Sequence, residues 1–156
     1  MGKIVLATII ISGSAKWLLK VGGNKEKWYG SDRIFMYVMT VFGAMTVNYS
    51  EQCTEYGWVV SNLRLLAGCL LAGGLLSAAY MDRRNCWVYN YVWWWCLPWA
   101  GILGMTAGGE FSGIVAVLVF VMLQQLLFSR MYGKADCHAF SVCALAECGN
   151  AVGMVG

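Results

Sequence analysis

Two aspartates are the residues best placed to do chemistry. Asp82, in "AAYMDRRNC", ends one apolar run, and Asp136, in "YGKADCHAF", introduces another. A carboxylate at a membrane boundary is costly, so an acid there needs either a partner or a task. Each has an ordinary reading. Asp82 can pair with Arg83 or Arg84, and Asp136 can cap a helix and be stabilised by its dipole. Together they suggest something sharper. Two carboxyls that face one another do not both ionise easily and share a proton. One then takes a proton from water while the other, protonated, polarises a scissile carbonyl. That is aspartic-peptidase chemistry.

The elements that must position such a pair follow from composition. The chain has 156 residues, 60% of them hydrophobic and 12% charged, with one proline. Its mean hydropathy is +0.61. Ordinary soluble domains carry about a quarter charged residues, and here the apolar residues come in long blocks, as bilayer spans do. The expected fold class is an all-α, polytopic membrane bundle of about six transmembrane helices. It forms a single domain over 1–156, with spans near 4–21, 34–49, 62–81, 86–107, 112–130 and 137–155. Lys16 and Lys20 stand where a signal-peptide cleavage site would fall, so the first apolar segment reads as an uncleaved span.

Charge sets the orientation. If the connections after the first, third and fifth spans share a side, that side holds Lys16, Lys20, Lys25, Lys27, Arg33, Arg83, Arg84, Arg130 and Lys134, nine of the eleven basic residues. Lys3 and Arg64 remain for the other side, with Glu51, Glu55 and Glu110. The positive-inside rule makes the basic side cytoplasmic. Asp82 and Asp136 then lie on the same membrane face, one helical hairpin apart. The lysines beside Trp28 and Tyr29 read as a membrane-flanking loop, and no nucleic-acid partner is expected.

The seven cysteines, Cys53, Cys69, Cys86, Cys96, Cys137, Cys143 and Cys148, contain no C-x-x-C pair, and His138 is the only histidine. Neither a zinc site nor any cofactor is expected. The cysteines read as reduced, small core residues. Trp87, Trp93, Trp94, Trp95 and Trp99 crowd the start of the fourth span as an interfacial belt. Gly104/Gly108 and Gly149/Gly153 have the spacing of close helix contacts.

The segment around the two acids resembles the type IV prepilin peptidases, in their short single-domain form. "AAYMDRRNCWVYN" is similar to the family's first signature, an aspartate followed by basic residues and an Ile-Pro-Asn element. Val88-Tyr89-Asn90 occupies that register, with Tyr89 in place of the proline. "GKAD" resembles the second signature, Gly-x-Gly-Asp, with Ala135 in place of the second glycine. The likeness covers roughly residues 77–150. It implies that Asp82 and Asp136 are the catalytic pair, with Gly133, Ala135 and Asn90 as supporting motif residues in a peptidase-like core over about 62–155. It also implies pilin-like or other membrane precursors as substrates, cut at the cytoplasmic face of a multi-pass protein of a bacterial plasma membrane. Two other readings remain open. One is a non-catalytic scaffold or inactive relative, with both acids as interface caps. The other is a small proton-coupled transporter, although only Glu147 lies within a span.

Overall fold

The structure, a computed structural model, describes residues 2–22, 30–52, 57–106, 111–127 and 133–147. Cys53, Cys148, Lys25, Lys27, Glu55, Glu110, Arg130, Gly108, Gly149 and Gly153, invoked above, lie outside them. The described residues form six helices and no strand: α1 (Gly2–Val21), α2 (Gly30–Gln52), α3 (Trp58–Asn85), α4 (Asn90–Thr106), α5 (Phe111–Leu126) and α6 (Lys134–Glu147). Each expected span overlaps one of them. The fourth, expected from residue 86, has a helix that begins at Asn90, and residues 107, 128–130 and 148–155 of the last three lie outside the described residues. Of these, α1 and α3 are long and apolar enough to cross a membrane, and Val115–Leu126 forms a shorter apolar helix.

Several helices overrun the apolar spans because a span ends where polar residues begin, whereas a helix ends where its backbone is capped. Thus α3 continues through Asp82, Arg83 and Arg84 until Cys86. There the backbone turns into the left-handed region (φ 50°, ψ 30°) and the Cys86 N–H closes on the Asp82 carbonyl at 2.8 Å. This is the single-bond left-handed helix ending that glycine usually occupies. Pro98 lies inside α4, where it removes one backbone donor.

The chain divides into two compact units, residues 1–92 and 93–156. In the first, α1, α2 and α3 all pack against one another. Small residues make the seam between α1 and α3. Ala7, Ile11 and Ala15 recur every fourth residue on α1 and are buried, as are Gly73, Gly74, Ser77 and Ala78 on α3. A Cβ on Gly73 would run into the Ser14 hydroxyl and stand 3.0 Å from the Ile11 carbonyl oxygen, so only glycine admits this approach. The Ser77 hydroxyl donates to the Gly73 carbonyl at 2.8 Å and also lies 3.4 Å from that of Ala15, linking the two helices. Close backbone approach of this kind is how helices associate where water supplies no driving force.

These contacts fix the directions. The end of α1 meets the end of α3, and the start of α2 meets both. Lys16, Lys20, Arg33, Arg83 and Arg84 therefore gather at one end of the first unit. Val47 packs on Gly68 at the other, the end that carries Arg64. On α2 a continuous apolar stripe, Ile34, Tyr37, Val38, Val41, Phe42 and Met45, faces outward. In the second unit α5 packs along α6. It too exposes an apolar stripe: Val115, Leu118, Val119, Met122, Leu123 and Leu126.

Candidate functional site

Asp82 lies in the last turn of α3, and its surroundings follow from helix geometry. Successive residues are about 100° apart around a helix, so Arg84 points roughly opposite Asp82. Arg84 turns to α2, its Nε 3.7 Å from Asp32 Oδ2. Its Nη1 donates to the Tyr80 hydroxyl at 3.3 Å. Arg83 also turns to α2, its guanidinium carbon 4.9 Å from the centre of the Phe35 ring, a cation–π distance. The pairing of Asp82 with a neighbouring arginine, open on sequence grounds, is not formed. Asp82 is exposed, and among the described residues its carboxylate has no ion pair.

Asp32 is the acid that sequence reasoning missed. It is only 8% exposed, in the first turn of α2, where the helix dipole favours a carboxylate. At 3.7 Å the Arg84 contact is an ion pair without hydrogen-bond geometry. The signal available was an acid two residues after Gly30, with only Arg33 between it and an apolar run. A span begun at residue 34 left it in a loop.

The connection from α3 to α4 is short. Cys86 caps α3, and Asn90, the first residue of α4, is exposed. The next residue ties this corner to α1. The Tyr91 hydroxyl donates to the Leu18 carbonyl at 3.0 Å, and a Cβ on Gly22 would overlap that hydroxyl. Tyr89 stacks on Tyr91, with centroids 5.8 Å apart. Asp82 and Asn90 thus flank a corner held by Cys86 and Tyr91.

Asp136 belongs to the second unit and lies in the first turn of α6. The Gly133 carbonyl accepts from the N–H groups of Asp136 at 3.1 Å and Cys137 at 3.2 Å. Asp136 is exposed, Ala135 is half-buried and Cys137 is fully buried. The Asp136 side chain folds back, placing Oδ2 3.6 Å from where a Cβ on Gly133 would stand. Gly133, Ala135 and Asp136 are therefore together at one helix start. Two residues on, His138 Nδ1 lies 2.5 Å from the Lys134 carbonyl oxygen, an acceptor for the tautomer protonated at Nδ1. Its ring is 5.8 Å from that of Trp93. Trp93 is buried while Trp87 and Trp94 are exposed, so the tryptophan cluster divides between packing and surface.

Cys69, Cys96 and Cys137 are fully buried, as expected of small core residues, whereas Cys86 and Cys143 are exposed; all five are free thiols. Among the described residues no three His, Cys, Asp or Glu side chains gather as a metal site. Comparison with family models, curated proteins and solved structures finds no match.

Proposed function

We propose that the chain is a polytopic, membrane-embedded aspartic endopeptidase that removes leader peptides from prepilin-like precursors at the cytoplasmic face. Asp82 and Asp136 form its catalytic pair. The observation that carries this reading is the state of Asp82. Two arginines follow it directly, yet both are held by α2, and the carboxylate is left exposed without a cation among the described residues. An acid kept only to balance charge would be paired. The second support is the outward apolar stripes on α2 and α5, surfaces of a kind that soluble monomers rarely leave open. The stripes and the two long apolar helices together favour a bundle that meets lipid on several sides.

The chemistry assigned to the pair balances within itself. One carboxylate accepts a proton from water as the oxygen adds to the scissile carbonyl. The other carboxyl, protonated, donates to the carbonyl oxygen. Collapse of the tetrahedral intermediate breaks the C–N bond, and a proton passes to the leaving amine. Asn90, Gly133 and Ala135 shape the two segments that carry the acids.

A second reading has one specific observation in its favour. Asp136 stands in the first turn of α6, where a carboxylate stabilises a helix without doing chemistry. On that reading the chain is a non-catalytic membrane protein. Processing of a pilin-like precursor in membranes containing the protein separates the two. Asp82→Asn abolishes cleavage if the pair is catalytic, and normal cleavage by that variant contradicts the peptidase.

A further inference from the structure

A second candidate site lies between α1 and α2. A groove of about 240 Å³ is lined by Thr8, Ser12 and Lys16 on α1 and by Arg33, Met36, Tyr37 and Thr40 on α2. The two helices run in opposite directions. Lys16 and Arg33 therefore share one end of the groove, Ser12 and Tyr37 the middle, and Thr8 and Thr40 the far end.

The charge along this groove is uneven. No acid lines it, and neither Lys16 nor Arg33 has an ion pair among the described residues. Asp32, next to Arg33 in sequence, is turned to Arg84 instead. The Thr8, Ser12 and Thr40 hydroxyls deeper in the groove do not offer donors to a ligand. Thr8 donates to the Ile4 carbonyl at 2.8 Å, Ser12 to that of Ile9 at 3.1 Å and Thr40 to that of Met36 at 2.6 Å. Beneath the two cations the wall is thus mostly methyl, methionine and aromatic surface, with the Tyr37 ring and its hydroxyl at the middle.

We propose that this groove binds a phosphate-bearing lipid. The phosphate sits between Lys16 and Arg33, and the start of an acyl chain runs between Ser12 and Tyr37 toward Thr40. A free phosphate ion would use the cations but gain nothing from the apolar length. A zwitterionic lipid would bring its own cation against two others. Basic pockets between membrane helices recognise anionic headgroups by the same chemistry. The inference rests on the membrane placement of α1 and α2 and is independent of catalysis by Asp82 and Asp136.

Native mass spectrometry of the full chain in neutral detergent tests it, with equimolar phosphatidylglycerol and phosphatidylcholine. The expected result is one retained phosphatidylglycerol, preferred roughly tenfold. The preference should vanish in the Lys16→Gln/Arg33→Gln double variant and persist in Lys20→Gln, which removes a charge of the same helix outside the groove. Ser12→Leu, which fills the groove without altering charge, should reduce retention of either lipid, and it decides the matter if the double variant loses its helical circular dichroism. Millimolar inorganic phosphate should not displace the lipid. An unchanged preference in the double variant overturns the site, as does an equal loss in Lys20→Gln. Full displacement by inorganic phosphate reassigns the groove to a soluble anion and overturns the lipid.

Discussion

Arg84 and Asp32 join the end of α3 to the start of α2, their charged atoms 3.7 Å apart and largely buried. This contact draws Arg84 to the side of α3 away from Asp82, and the Arg83–Phe35 contact does the same for the other neighbouring cation. Removing one partner of a partly buried ion pair leaves the other uncompensated, at about 1–3 kcal/mol. Asp32→Ala should therefore lower unfolding stability by that order. On the peptidase account it should also slow cleavage several-fold without abolishing it, because the end of α3 that carries Asp82 loses a tie to α2. Arg84→Gln, which removes the uncompensated cation, should restore part of the lost stability in the Asp32→Ala background. A rate unaffected by Asp32→Ala would show that the contact has no bearing on Asp82.

The α1–α3 seam depends on Gly73. The Ser14 hydroxyl can rotate away from an added side chain, but the Ile11 carbonyl, 3.0 Å from a Cβ there, cannot. Gly73→Val should separate the helices and destabilise the protein by about 1–3 kcal/mol. Gly133→Ala should be nearly neutral for stability, since its Cβ would meet only Asp136 Oδ2 at 3.6 Å. Thermal unfolding of both variants in detergent checks the contrast.

Cys86 holds a left-handed backbone conformation that costs a side-chain-bearing residue about 1 kcal/mol and costs glycine almost nothing. Cys86→Gly should raise stability by about that amount and leave cleavage unchanged. A destabilised variant would mean that the thiol makes a contact worth more than the strain.

Topology can be read from the same residue. In a background lacking the other cysteines, the exposed Cys86 thiol should react with a membrane-impermeant maleimide only from the cytoplasmic side. Glu55→Cys in a cysteine-free chain should react only from outside. Labelling of both from one side would contradict the orientation assigned from the basic residues.

The helices were largely legible in the sequence because apolar runs of that length have few other uses. The ends were less so. Nothing in a hydropathy pattern announces that α3 continues through Asp82-Arg83-Arg84 to a left-handed Cys86, since glycine is the usual sign of such an ending. The aspartates at 82 and 136 stood out as isolated acids beside apolar runs. Asp32 did not, because its burial arises from a tertiary contact with a residue more than fifty positions away, and spacing carries no trace of that. The destination of Arg84 was hidden for the same reason. Sequence adjacency suggested Asp82, and helix geometry sends the side chain the other way.

The most direct test of the central claim is the rate at which a purified precursor is cut by Asp136→Asn, by Asp82→Asn and by the double variant. All three should be compared with the unaltered chain at matched helical content. Two groups acting as one acid–base unit are lost together when either is lost. Both single variants should therefore fall to background, with the double variant no lower, while Glu147→Gln cuts at a near-normal rate. Near-normal cleavage by Asp136→Asn would contradict the account and leave Asp136 as a helix-stabilising residue of α6.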